Sequence, residues 1–318
     1  MSDKLVELEK SLSEAQTEQE QMESMIALAF HHMNDDFIEG WRYGQEALDL
    51  AKVLIERYAE AQAHEAIAGC LWKLSDYSLA MEHYEQALDR FLGLGDLYHM
   101  SKCHCGMGII HGINDDFRKA LECFDEGLRC AKKADKLQMA ATITGNIGHV
   151  YLNMGRYDDA MECYEYSYDY QKSIGFGQGA ADMLSGMAGV SVLKGDFDKG
   201  LELARRAVDA CRAANHQRGV AVGIMNVGEA LKRMGKLEEA KDQYKKALNY
   251  ARSINLVMTE ADVLKKLSEV CSELGEMEES AKFLELYIAT EREEKKEALR
   301  RKSAQSEKFQ KVRADMNR

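Results

Sequence analysis

Proline is missing altogether from the 318 residues of this chain. The main interior breaker of helices is therefore absent, and long helical stretches are permitted throughout. Apolar runs are short as well: none approaches the eighteen or so residues of a membrane span, so no membrane partner is expected. Positive charge is in deficit, with 42 Lys and Arg against 54 Asp and Glu, a net charge of −12 and a pI near 5.3. That balance argues against a general nucleic-acid binder, because neutralising phosphates needs a basic face. The amino end holds no apolar secretory core, Met1 to Glu20 being polar and charged, and the expected compartment is the cytoplasm.

Strand-like alternation is also missing, and helix formers dominate, which makes the expected class all-α. What is present is a clock of 40 residues. Gly40, Ala80, Ala120, Ala160, Gly200, Ala240 and Ser280 follow one another without insertion. Ala68, Gly108, Gly148, Ala188, Gly228 and Ser268 form a second small series, and Ala47, Ala87, Gly127, Ser167, Ala207 and Ala247 a third. Large residues keep the same interval at Phe37, Tyr77, Phe117, Tyr157, Phe197, Leu237 and Met277. Small residues at fixed offsets let helix backbones approach closely while the large ones fill the space between units, so each repeat is one packing module stacked on the next. The clearest copy reads Asn146-Ile147-Gly148-His149-Val150-Tyr151, then Gly155-Arg156-Tyr157, Ala160, Tyr164 and Ser167. It contains two helical faces joined at Gly155.

This spacing of Gly, Tyr, Ala and aromatic residues resembles the tetratricopeptide repeat, in the 40-residue subclass found in spindle-orientation adaptors, kinesin light chains and bacterial sensor modules. The resemblance implies a right-handed superhelical solenoid of about seven helix-turn-helix units with a concave groove. The expected organisation is an N-terminal capping helix over 1–20, seven repeats over 21–295 and a charged helical extension over 296–318. In place of a closing proline, Gly95, Asp135, Gly175, Asn215 and Asn255 stand between units. These types tolerate the left-handed backbone that ends a helix. The corresponding places in the first and last units hold Ile55 and Lys295, so both are expected to lack the stop. The final helix is expected to run from Met277 to about Lys311, project beyond the repeats and offer a surface for homodimerisation.

Sites of chemistry are scarce. The eight cysteines are scattered and expected to be reduced, with Cys123 and Cys163 in equivalent places as small apolar fillers. Cys103-His104-Cys105 with His111 is the one cluster suggesting a metal, but residues two apart on a helix point about 200° apart, which prevents shared ligation. No metal or other cofactor is expected. Asp35-Asp36 and Asp115-Asp116 read as helix caps instead of an acid–base pair. With no glycine-rich phosphate loop and no nucleophile elbow, no catalytic residue is assigned and the chain is not expected to be an enzyme.

What remains is the groove, which the resemblance assigns to the first helix of each repeat. On that face the second repeat places Glu65, Gly69 and Trp72, the third Cys105, Ile109 and Gly112, and the fourth Asn146, His149 and Asn153. The fifth places Ser185, Gly189 and Val192, the sixth Met225, Asn226, Glu229 and Arg233, and the seventh Lys265, Lys266 and Glu269. The candidate binding residues are Trp72, Asn146, His149, Asn153, Asn226, Glu229, Arg233 and Lys265. Asn146 and Asn226 lead, because an amide offers both donor and acceptor to a peptide backbone. An adaptor holding a peptide or helix of another protein is the first functional reading. A sensor module acting on a kinase, cyclase or response regulator in trans is the second, and a structural dimer through the terminal helices the third.

Overall fold

The computed structural model describes residues 3–33 and 35–316. They form an all-α, tetratricopeptide-like solenoid of consecutive helices with no strand among the described residues. A short α1, Asp3–Glu14, precedes seven helix pairs. The pairs are α2 Glu18–His32 with α3 Phe37–Leu54, α4 Arg57–Lys73 with α5 Tyr77–Leu94, and α6 Leu97–Ile113 with α7 Phe117–Lys133. Next come α8 Leu137–Asn153 with α9 Tyr157–Ser173, α10 Gly177–Leu193 with α11 Phe197–Ala213, and α12 Gln217–Arg233 with α13 Leu237–Ser253. The last is α14 Val257–Glu273 with α15 Met277–Met316. The stretch expected as one capping helix over 1–20 holds α1 and the start of α2. The break comes from Thr17, whose side chain accepts from the Glu20 amide at 3.1 Å while Glu20 accepts from the Thr17 amide, a reciprocal cap that begins α2.

The chain divides into two compact units, Met1–Ile143 with Ser303–Arg318, and Thr144–Lys302. In each, the small series lie where helices cross. Ala80, Ala120, Ala160 and Ala240 are fully buried, as are Ala87, Ala207 and Ala247. In the second unit a Cβ on Gly148 would stand 2.9 Å from Tyr164 Cε1, and one on Gly228 only 2.6 Å from Tyr244 Cε1. The aromatic rings therefore fill space that a side chain on the facing helix would need.

The left-handed stops are where the spacing predicts them: Gly95, Asp135, Gly175, Asn215 and Asn255 all have positive φ. Asp36 and Asp116 cap α3 and α7 through the amides of Glu39 and Lys119. The first unit departs from expectation. Ile55 adopts φ 61° and ends α3 at Leu54 although a β-branched residue is ill suited to that region. Packing of the next helix overrides local preference there. Lys295, by contrast, stays helical, and α15 runs for 40 residues, about 60 Å at 1.5 Å per residue. Its end does not project free: Phe309 and Val312 pack against the buried cluster of the first unit.

Candidate functional site

Within each unit the first helices of successive pairs pack on one another, α2 on α4 and α4 on α6, and likewise α10 on α12 and α12 on α14. The second helices make no such contact among the described residues. The first helices consequently occupy the crowded inner side of each unit's curvature. Seven of the eight candidate residues, all but Trp72, lie on such helices in the second unit.

On α8, Asn146, His149 and Asn153 share one face, with Asn146 half-buried and Asn153 exposed. His149 has an edge at the surface and its Nδ1 2.8 Å from the Tyr164 hydroxyl; crowding of the ring pushes its pKa below the ordinary imidazole value. On α12 the arrangement recurs 80 residues later. The Tyr244 hydroxyl donates to Glu229 at 3.1 Å. A tyrosine from the second helix thus reaches past the small residues and steadies the side chain on the inner face. Sequence reasoning counted Tyr164 as packing alone. The available signal was tyrosine where the third repeat has Phe124, because a buried hydroxyl needs a partner.

The sixth and seventh repeats carry a lattice of charges. Glu229 accepts from Lys266 at 2.7 Å and Arg233 at 3.0 Å. Burial opposes its ionisation, but these bonds prevail and draw the carboxyl down to about 2. Lys232 pairs with Glu269 and Glu273 at 3.0 and 3.1 Å. The cations at this end of the face are therefore largely paired with its own carboxylates. Lys265 is exposed beside this lattice. Asn226, one turn before Glu229, is half-buried.

Between the two asparagine-bearing helices, α10 presents two successive glycines on this face, with the exposed Asp182 one turn before them and the exposed Leu193 one turn after. Gly186 occupies the place equivalent to Asn146 and Asn226 and lies flat on the Tyr164 ring, 2.9 Å from a notional Cβ. One turn on, Gly189 faces open space, with nothing within 4 Å. Gly145 of α8 meets Met183 of α10, which sets α8 against this strip. The result is a smooth floor flanked by amides, suited to close approach of another backbone.

Trp72 lies in the first unit, partly buried against its core, with the Lys73 ammonium 4.4 Å from the ring centroid. Its indole N–H is shut away from solvent without a partner among the described residues. Glu65, expected on the inner face of the same helix, is 4 % exposed and bonded to His99 and Lys102. Cys103 and Cys105 are both buried. Among the described residues one group could supply metal ligands: Cys271, Glu276 and Glu279 bring atoms within 4.8 Å of one another. The Lys241 ammonium already bonds both carboxylates, and burial pushes the Cys271 thiol up to about 11. A cation is thus supplied by the chain itself.

Family models for the tetratricopeptide repeat match residues 61–91, 141–173 and 179–253, which span α4–α5, α8–α9 and α10–α13. These stretches carry tetratricopeptide repeats. Among curated proteins none matches the repeat chain in sequence. Solved structures do match its fold. The apo form of the quorum sensor NprR from B. thuringiensis is similar with a TM-score of 0.74 at 20 % identity, over 90 % of this chain and 80 % of that one. A Rap protein complexed with Competence and Sporulation Factor gives 0.68 at 17 % identity over 92 % and 80 %. The Rap conjugation gene regulator of plasmid pLS20, in complex with the Phr* peptide, gives 0.62 at 14 % over 86 % and 76 %. No described helix of the repeat protein is long and apolar enough to cross a membrane.

Proposed function

We propose that this repeat protein is a non-catalytic recognition module that holds an extended peptide of a partner protein along the inner face of its second unit. The observation that carries this reading is the strip of Gly186 and Gly189 on α10 between Asn146 on α8 and Asn226 on α12. A peptide backbone needs both close approach and paired hydrogen-bonding groups; glycine supplies the first and carboxamides the second. The preformed solenoid adds little ordering cost on the host side. His149 and Glu229, each held by a tyrosine hydroxyl, and the exposed Asn153 flank the strip, while Arg233 and Lys265 face side chains at its charged end. The likeness to a Rap regulator bound to the Phr* peptide supports peptide as the ligand class. A second reading, in which peptide occupancy is passed on to another protein, draws support from the fold of the quorum sensor NprR.

The test begins with peptides selected by display on the intact chain and measured by calorimetry. Asn146→Ala with Asn226→Ala is expected to cost about 1–3 kcal/mol of binding if both amides bond a desolvated backbone. Gly189→Leu, placed in open space, is expected to leave the helices intact and block binding. Undiminished affinity in both variants would move the binding surface elsewhere.

A further inference from the structure

The last turns of α15 lie on the first repeat. Phe309 meets Trp41 edge-on, with ring centroids 4.6 Å apart and 64° between the planes. Val312, three residues on and hence on the same helix face, packs with Phe309 against the cluster containing Trp41, Met22 and Ile26. Immediately before the phenylalanine, Lys308 places its Nζ 2.9 and 3.3 Å from the two Asp36 oxygens. Asp36 also caps α3, so its carboxylate is fixed at the rim of the apolar surface. The neighbours Gln310 and Lys311, and the whole stretch 303–308, are exposed. Three consecutive requirements are thereby displayed: a cation for Asp36, an aromatic ring for Trp41, and an aliphatic group one turn further.

This cover is lightly held. The Lys308–Asp36 pair is about half exposed on both sides, where ion pairs add little, which leaves two apolar side chains as anchors. A helix of another protein that offers the same anchors displaces it once its additional contacts outweigh the effective concentration of the tethered segment. We propose that the surface around Trp41 and Asp36 is a docking site for an amphipathic helix of a partner protein, and that the end of α15 occupies it in cis as a stand-in. The helix it fits carries a basic residue, then an aromatic, then an aliphatic three positions later, in the order Lys308, Phe309, Val312. This site lies in the first unit and is independent of the peptide surface proposed above.

The experiment uses the full chain and a fluorescent peptide spanning residues 296–316 as the helix probe. Phe309→Ala with Val312→Ala in the protein frees the surface, and the probe is expected to bind this variant at least about tenfold tighter than wild type, because the competing cis segment no longer withholds the competent state. Lys308→Glu, at an exposed position that cannot unfold the repeats, is expected to give a smaller gain in the same direction. A probe carrying alanine for Phe309 is expected not to bind. Equal affinity for wild type and both variants, or no binding to any of them, overturns the proposal. So does a wild-type dimer in light scattering that Phe309→Ala with Val312→Ala dissolves, because the tail then serves a second copy.

Discussion

Two glycine substitutions, one within a small-residue series and one a single position beyond it, are expected to have opposite effects. A Cβ on Gly228 would fall 2.6 Å from Cε1 and 2.7 Å from Cδ1 of Tyr244. That ring has nowhere to go: it is fully buried, and its hydroxyl donates to Glu229, which Lys266 and Arg233 hold in turn. Overpacking against a fixed ring costs about 1–3 kcal/mol, and the better helix propensity of alanine returns roughly 0.5–1 kcal/mol. Gly228→Ala is therefore expected to destabilise by about 1–2 kcal/mol. At Gly69 the nearest atom to a Cβ is closer still, Met33 Cε at 2.1 Å, but it is the free end of a thioether, with Sδ at 3.0 Å. Methionine repacks at little cost, so the propensity gain prevails and Gly69→Ala is expected to be neutral or to stabilise by up to about 0.5–1 kcal/mol. Urea unfolding followed by circular dichroism separates the two, with midpoints moving in opposite directions at constant slope. If Gly228→Ala unfolds with wild type, or Gly69→Ala loses as much as Gly228→Ala, then the rigidity of the neighbour is not what decides, and the account of the small-residue series fails.

Two further outcomes are expected. Glu229 has its pKa lowered from 4.5 to about 2 in the folded state, so its contribution is complete above the ordinary carboxylate value and is lost as pH falls from about 4.5 toward 2. Glu229→Gln should flatten stability against pH in that window by about 1–2 kcal/mol once solvent screening is allowed for, and an unchanged acid limb in urea titrations counts against the lattice. Ile55 is 80 % exposed and left-handed at φ 61°, so Ile55→Gly removes strain of about 1–2 kcal/mol, less the roughly 0.4–1 kcal/mol that glycine's freedom costs in the unfolded chain. A small rise in the thermal midpoint is the expected reading, and a clear fall would show that this αL residue is not strained.

Much of this protein follows from the sequence by itself because a repeat writes the same local rule seven times. A strict interval of 40 with small residues at three offsets demands equivalent helix crossings, and the absence of proline lets each helix run to its glycine, asparagine or aspartate stop. Pair number, turn positions and the unbroken α15 were legible for that reason. What tertiary structure alone decided lies where side chains from distant residues meet. Ile55 carries no local signal for a left-handed turn, yet it ends a helix because α4 must pack next. The charges on α12 and α14 carry no pairing in the sequence, and only packing brings Lys266 to Glu229 from 37 residues away. The end of α15 was legible as a helix in want of a partner. Its partner, the surface of Trp41 and Asp36, lies 272 residues from Lys308 along the chain, and no periodicity encodes a contact made only once.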